Sequence, residues 1–330
     1  MEISVIIPSY NRLAALCQAV RSLQDQSFGD FEILVVDNAA DSQVERKIAE
    51  MNDSARVPAR YLAERALGLH FARHAGARVA QGELLVFTDD DATFDPGWLQ
   101  AYADAFACHP QMAVAGGPVR PVWEAAPPLW FRQFMDGSLC GILSLMEPYE
   151  EFHMGPELFF WGVNMAIRRE ALFAVRGFNP ESFGDIWLGD GESGLNAKLR
   201  ERGMAIGYIP QALVHHHIPS GRMTVDYVCH RLANQEACEL YTAYHRHIPH
   251  RLRLAKHALA VAVKNSKCFI AAWLAKGRTD TRSLNVQIQA ARAWARLKYV
   301  VRLIGDGQFR ELVGKEDWLV ESSDAVAVIP

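Results

Sequence analysis

Three consecutive aspartates, Asp89, Asp90 and Asp91, form the most chemically suggestive group in the sequence. Adjacent carboxylates repel one another, and each raises the pKa of its neighbours. A bound cation removes that cost, and hard carboxylate oxygens suit Mg²⁺ or Mn²⁺. An acidic turn, or a cap at the start of the next helix, would use the same residues without a metal. The apolar run 83–87 just before them favours a site at the end of a buried strand.

A second group is the histidine run His215, His216 and His217, which follows an apolar, strand-like segment ending at Pro210. A neutral imidazole can bind a divalent metal, although a polar loop would have the same composition. Three consecutive side chains cannot easily point at one ion, so a zinc site made of these histidines alone is not expected.

Alternating elements position the acidic cluster. Apolar runs predict strands at 3–7, 31–36, 60–62 and 83–87, and helical spacing predicts helices at 12–26, 43–51, 69–80 and 96–108. Strands that alternate with helices predict an α/β fold with a mainly parallel sheet flanked by helices. Ligands bind beyond the carboxyl ends of such strands, where Asp37 and the three aspartates lie.

The second half of the sequence is less regular. Residues 118–128 are rich in proline and predict a loop. Strands are expected at 165–167 and 204–209 and helices at 169–175 and 191–202, while the sequence from about 224 predicts a helical C-terminal extension. We therefore expect a catalytic domain over 1–222, with halves of about 1–115 and 116–222, and an extension over 223–330.

Composition limits the class of protein. The chain has 330 residues, 50% of them hydrophobic and 22% charged, which is ordinary for a globular protein. Six cysteines without CxxC spacing fit a reducing compartment. We see neither a signal peptide nor an apolar run of the roughly 20 residues that span a bilayer. The expected location is the cytoplasm, with attachment to the inner face of a membrane left open.

Charge is distributed unevenly. Residues 251–310 contain 13 lysines and arginines but two acids, so they carry +11 while the rest of the chain carries −15. An acidic body argues against nucleic acid as a partner. If 253–278 is one helix, Arg253, Lys256, Lys264, Lys267 and Arg278 form a basic stripe beside a broad apolar one. An anionic membrane surface fits this pattern, and so does a helix whose apolar side packs on the protein itself or on a second subunit.

Six motifs carry a resemblance to a known family. They are SVIIPSYNR (4–12), EILVVDN (32–38), GELLVFTDDD (82–91), WGVNMAIRR (161–169), GDGESGL (189–195) with KLR (198–200), and IPQALVHHH (209–217). In this order and spacing the sequence resembles glycosyltransferase family 2, whose members have a GT-A fold. The resemblance says little about residues after 224.

The resemblance implies roles for individual residues. The residues implied in donor binding are Pro8, Tyr10, Arg12, Asp37, Arg65, Gly68, Arg73, Asp89 and Asp90. Asp91, Asp89 and His216 would hold the Mn²⁺ or Mg²⁺ ion, and Trp161, Gly162 and Asn164 would meet the acceptor. Glu192 takes the place of the second acid of the family's ED pair and would be the general base. Gly191 stands where the first acid is usual, with Asp190 one place earlier, so the choice between Asp190 and Glu192 stays open.

The expected function is metal-dependent transfer of a sugar from a nucleotide-sugar donor, with a weak preference for UDP, to a saccharide or lipid-linked acceptor. The resemblance also implies inversion at the anomeric carbon and a place in bacterial-type polysaccharide or glycoconjugate synthesis. A nucleotidyltransferase is an alternative, but it would normally have a glycine-rich basic loop near the N-terminus. A non-catalytic protein that binds nucleotide sugars is another, and the intact acidic cluster argues against it.

Overall fold

An eight-stranded sheet forms the centre of the computed structural model, which describes residues 2–135, 140–183 and 186–319. Its strands, in spatial order, are β3 (Ala59–Ala63), β2 (Phe31–Asp37), β1 (Ile3–Ser9), β4 (Leu84–Phe87), β9 (Met165–Arg168), β6 (Met112–Gly116), β12 (Ala205–Tyr208) and β8 (His153–Met154). Strands β1, β2, β3 and β4 are parallel, as are β6 and β12, whereas β9 is antiparallel to both of its neighbours.

Helices cover both faces of this sheet. They are α1 (Leu13–Gln24), α2 (Ser42–Asn52), α3 (Leu69–Val79), α4 (Trp98–Cys108), α5 (Leu129–Met135), α6 (Arg169–Ala174) and α7 (Gly191–Glu201). Strands β1, β2 and β4 are buried along their whole length, because the helices cover them from both sides. The predicted α/β architecture, a mainly parallel sheet flanked by helices with a helical C-terminal part, is confirmed.

Two smaller sheets complete the strand set. β10 (Ser182–Phe183) pairs with β11 (Ile186–Trp187), and β5 (Ala92–Phe94), β13 (Val214–Ile218) and β7 (Val119–Trp123) form a three-stranded sheet. The prediction that 118–128 is only a loop is therefore wrong. Pro121 misled it, but β7 is an edge strand, where a residue without an N–H is tolerated. This sheet places His216 beside Ala92, the residue after the acidic cluster.

Up to residue 319, four helices follow: α8 (Val225–Tyr244), α9 (Arg251–Leu274), α10 (Thr281–Gly305) and α11 (Gly307–Gly314). Helix α10 packs on both α8 and α9, and Arg292 and Arg296 of α10 pair with the buried Glu236 of α8. The single helix assumed over 253–278 is wrong at its C-terminal end. Gly277 has a φ of 76°, a left-handed conformation in which glycine commonly ends helices, so Arg278 lies outside α9.

The expected domain boundary between residues 222 and 223 stays a prediction. The last residues of the predicted extension, 320–330, lie outside the described residues. Helix α8 is nevertheless joined closely to the preceding part, because Thr242 donates a hydrogen bond to Asp190 at 2.7 Å. No helix among the described residues is long and apolar enough to cross a membrane.

Candidate active site

A cavity of about 420 Å³ opens where β1 and β4 end at their carboxyl edge. Of the residues predicted for the site, the following line it: Pro8, Tyr10, Arg12, Gly68, Arg73, Asp89, Asp90, Asp91, Trp161, Glu192 and His216. The sequence placed these residues on separate strands, loops and helices. The structure brings them to one concave surface, the position that ligands take in open α/β sheets.

The acidic cluster is neutralised by arginines rather than left in repulsion. Asp90 accepts hydrogen bonds from Ser9 Oγ at 2.8 Å and from Arg12 Nη1 at 3.1 Å. Burial raises the pKa of Asp90 to about 6, because desolvation outweighs the attraction of Arg12. Asp91 Oδ2 accepts from Arg12 Nη1 at 2.9 Å and from Arg222 Nη2 at 2.7 Å. Burial opposes the ionisation of Asp91, but His216, Arg222 and Arg12 hold its pKa well below the ordinary value.

His216 is oriented by the backbone. Its Nδ1 lies 2.9 Å from the carbonyl oxygen of Leu143, and Arg222 Nη1 lies 2.9 Å from its Nε2. A neutral ring would keep its proton on Nδ1, and its Nε2 lone pair then accepts from Arg222 Nη1. A carbonyl that fixes the tautomer in this way is a common feature of histidine ligands.

Asp91 and His216 fit the ligand set of a divalent cation. Asp91 Oδ1 lies 3.3 Å from His216 Nε2. Adjacent ligands of an octahedral ion with bonds of about 2.1 Å are about 3 Å apart, so one ion could take both atoms if it displaced Arg222 Nη1 from Nε2. Within the described residues, no three His, Cys, Asp or Glu side chains are grouped so as to hold a metal unaided. Oxygens of the substrate and water would have to complete the coordination.

Arg73 connects the two sides of the cavity. This buried side chain donates from Nη1 to Glu192 Oε1 at 2.9 Å, and its Nη2 lies 3.5 Å from Asp89 Oδ1. The backbone N–H of Gly162 also donates to Glu192 Oε1, at 3.2 Å. A Cβ at Gly162 would lie 2.0 Å from Arg73 Nη2, so glycine is required for the guanidinium to reach Glu192. Gly162 thus supports the site from behind rather than lining the cavity.

Glu192 and Asp190, the two candidates for the general base, differ in whether they face the cavity. Glu192 lines the cavity, whereas the oxygens of Asp190 point away and accept from Asn179 Nδ2 at 2.8 Å and from Thr242 Oγ1 at 2.7 Å. A base must reach the acceptor hydroxyl, so position favours Glu192 over Asp190. Burial raises the pKa of Glu192. The charge of Arg73 and the contact with Glu181 lower it by more, so the pKa falls to about 2.

Asp37 is not exposed to the cavity. Its Oδ1 accepts from the N–H of Ala39 at 2.9 Å, and its Oδ2 accepts from the N–H of Asp41 at 2.7 Å and from Tyr61 Oη at 3.1 Å. The carboxylate therefore shapes the turn after β2, as acids at strand ends often do. The neighbouring Asn38 lines the cavity instead, so the donor contact implied for Asp37 stays a prediction without support from its position.

Arg65 and Asn164 also lie away from the cavity. Arg65 is exposed on the loop before Gly68. Asn164 is buried, accepts from Trp98 Nε1 and Tyr102 Oη, and donates to the carbonyl oxygens of Pro118 and Ala212. All its hydrogen-bonding groups serve packing between elements, so an acceptor contact through this side chain is not supported.

The lining residues that escaped the sequence reasoning include Glu181, Arg222, Tyr227 and Arg231. Arg222 follows the histidine run by five residues, and a basic residue so close to a metal-binding motif was a usable signal. Tyr227 and Arg231 come from α8, beyond the motifs that carry the resemblance. Only the fold shows that this helix forms a wall of the cavity.

The fold and cavity define a GT-A-type α/β enzyme that binds nucleotide sugars. The profile named Glycosyl transferase family 2 matches residues 4–174, more than half of the chain. The chain therefore belongs to glycosyltransferase family 2 and is a glycosyltransferase with nucleotide-sugar donors.

Relatives and solved structures agree with this assignment. The chain is 25% identical over 237 residues to glucosyl-dolichyl phosphate glucuronosyltransferase of Haloferax volcanii, covering 70% of this chain and 74% of that protein. It resembles S. aureus TarS, solved with UDP-GlcNAc, at 18% identity and a TM-score of 0.53, with 94% of this chain and 84% of that one covered. The mannosyltransferase PcManGT of Pyrobaculum calidifontis, solved with GDP-Man and Mn²⁺, gives 18% identity and a TM-score of 0.51, with 94% and 78% covered. These two structures share the fold.

Proposed function

We propose that the protein transfers a sugar from a UDP-sugar to a hydroxyl of a saccharide or lipid-linked acceptor, with inversion and with a divalent metal. Bacterial-type polysaccharide or glycoconjugate synthesis is the process that such a reaction serves. The observation that carries the proposal is the convergence of Asp91, His216 and Glu192 on one cavity. The name of the Haloferax relative, which contains a dolichyl phosphate, supports a lipid-linked acceptor, and the Mn²⁺ in the PcManGT structure supports metal use.

In this mechanism the acceptor hydroxyl attacks the anomeric carbon while the bond to the leaving diphosphate breaks. Glu192 is ionised at neutral pH and takes the hydroxyl proton, and Arg73 and Gly162 fix its Oε1. A cation held by Asp91, Asp89 and His216 would supply a Lewis acid that neutralises charge on the diphosphate. Arg12 and Arg222 keep Asp91 ionised for that purpose.

The test is turnover with a panel of nucleotide sugars and acceptors, with UDP release and product formation both measured. Glu192→Gln removes the proton acceptor but keeps the shape, so we expect kcat to fall about 10²- to 10⁴-fold while UDP affinity changes little. Asp190→Asn is the matched control and should keep most activity. Chelation of divalent cations should weaken UDP binding to wild type and have little further effect on Asp91→Ala.

Normal turnover by Glu192→Gln together with an inactive Asp190→Asn would assign the base to Asp190. Formation of a nucleotide sugar from a sugar phosphate would instead favour the nucleotidyltransferase alternative. Binding without turnover of any donor would favour the non-catalytic one.

We also propose that α9 docks on an anionic membrane surface, where lipid-linked acceptors would be found. An outer apolar stripe on α9 consists of side chains that are each at least 63% exposed: Leu252, Leu259, Val263, Ile270, Trp273 and Leu274. At roughly 100° per residue these side chains fall within an arc of about 100°. Leu254, Ala258 and Val261, which are buried, lie on the opposite side of the helix.

A basic stripe adjoins the apolar one. Arg253, Lys256, Lys264 and Lys267 are exposed and form no ion pair with the residues that the structure describes. Helix α9 contains no acidic residue. An apolar stripe flanked by cations is the arrangement of helices that lie in a membrane interface. Pairing this face with the same face of a second copy would bring together cations without acidic partners, so the charge favours an anionic bilayer.

A further inference from the structure

Glu181 occupies the space beside the glycine that replaces the first acid of the ED pair. Gly191 has a φ of 45°, and a Cβ built there would lie 2.3 Å from Glu181 Cγ and 2.5 Å from Glu181 Oε1. The backbone N–H of Gly191 also donates to the carbonyl oxygen of Pro180, which holds the two segments together. A side chain at 191 and the carboxyl group of Glu181 could not both fit. Glu181 therefore brings a carboxyl group to this corner of the cavity from another part of the chain.

The carboxyl groups of Glu181 and Glu192 face each other, and both line the cavity. A hydrogen bond between two carboxyl groups requires one proton. Burial, followed by the charge of Glu192, raises the pKa of Glu181 well above the ordinary value. Glu192 keeps the negative charge because Arg73 donates to it directly. Among the described residues, the other charged or titratable groups that face Glu181 are Arg73 of α3 and Arg231 and Cys238 of α8.

We propose that Glu181 is a positioning residue that remains protonated at neutral pH and donates its proton in a hydrogen bond to Glu192. With Arg73 and Gly162 this contact fixes the Glu192 carboxylate towards the acceptor hydroxyl. During transfer the hydroxyl proton moves to Glu192, so the pair then holds two protons and returns one to solvent. The proposal rests on the role of Glu192 as the base in the proposed function.

The sign of the pH dependence follows from the raised pKa of Glu181. At neutral pH the pair carries one charge and one proton. As pH rises through the pKa of Glu181, both carboxyl groups become ionised, the hydrogen bond is lost and the two charges repel. Activity should therefore fall on the alkaline side. An amide at position 181 can still donate a hydrogen bond but cannot ionise.

The experiment compares kcat against pH for wild type, Glu181→Gln and Glu181→Ala, with donor affinity measured in parallel. Glu181→Gln should keep activity within about fivefold at neutral pH and lose the alkaline decline due to this group. Glu181→Ala should lower kcat at least about tenfold with unchanged UDP affinity, because Glu192 loses its orienting donor. Glu83→Gln removes an exposed carboxylate outside the cavity and serves as the control.

An inactive Glu181→Gln that retains its fold and its UDP affinity would overturn the proposal, because it would make Glu181 itself the base. An active Glu181→Gln with an unchanged alkaline limb would also overturn it, since the proton on Glu181 would then have no part. Glu192→Gln separates this failure from that of the proposed function, because its own loss of activity does not depend on the protonation of Glu181.

Discussion

At the scale of single residues, the three aspartates are not equivalent, although the sequence presents them as a repeat. Asp90 is bound by Ser9 and Arg12, Asp91 faces His216 and Arg222, and Asp89 faces Arg73. Arg12 also contacts Asp91, but each aspartate has its own set of partners. The sequence could predict that the cluster needs positive charge. It could not assign the partners, because they come from the end of β1 and the loop after it, from α3, and from β13 and the segment after it.

Asn164 provides a test of packing against acceptor binding. Asn164→Ala would leave Trp98 Nε1, Tyr102 Oη and the backbone carbonyl oxygen of Ala212 unpaired in the interior. Each unsatisfied buried group costs about 1–3 kcal/mol, so the free energy of unfolding should fall by at least about 3 kcal/mol. Urea unfolding measures this fall, with the partly exposed Gln100→Ala as the control. An acceptor contact would appear instead as a raised acceptor KM with stability unchanged.

At the scale of elements, the sequence predicted the strands and helices that have an apolar pattern of their own. It missed a strand that depends on pairing with a distant part of the chain. The strand–helix alternation up to residue 108 was predicted to within a few residues, because each element has its own apolar pattern. Strand β7 was missed because its partner, β13, lies almost a hundred residues later. Pairing with β13 stabilises this strand although Pro121 disfavours it locally. Asp37 was placed correctly at the end of β2, but its direction depends on Tyr61 of β3, which local sequence does not reveal.

Gly162 provides a test of how its neighbours position Glu192, the candidate base. In Gly162→Ala the new Cβ would lie 2.0 Å from Arg73 Nη2, and the buried Arg73 has little room to retreat. We expect the ion pair with Glu192 to lengthen and kcat to fall about 10- to 100-fold, because small displacements of positioned groups are costly. Gly29→Ala, which meets no atom within 4 Å, is the matched control and should leave kcat unchanged. Equal kcat values for both variants would mean that the Arg73–Glu192 contact is dispensable.

At the scale of the whole molecule, the C-terminal helices have two different surfaces. One surface completes the catalytic part, because α8 lines the cavity with Tyr227 and Arg231 and is held by α10. The other is the outer side of α9, whose apolar and basic stripes face solvent. The sequence left open whether the apolar side of this helix packs on the protein. The structure answers that question for the described residues, since the buried side of α9 is the opposite one.

The docking proposal predicts binding of the full chain to anionic vesicles but not to neutral ones, with binding weakened by salt. A basic residue near an anionic surface contributes about 1 kcal/mol, so neutralising three lysines should reduce binding about 100-fold at low salt. The test variant is Lys256→Gln with Lys264→Gln and Lys267→Gln, followed by co-sedimentation with vesicles. The matched control removes three exposed charges from α1, α2 and α7 through Arg21→Gln, Arg46→Gln and Arg200→Gln.

Trp273→Ser should weaken binding without changing its dependence on salt, because it removes apolar area rather than charge. Two results would contradict the proposal: no binding of wild type at low salt, or a wild-type dimer that Trp273→Ser converts to a monomer while vesicle binding is absent in both.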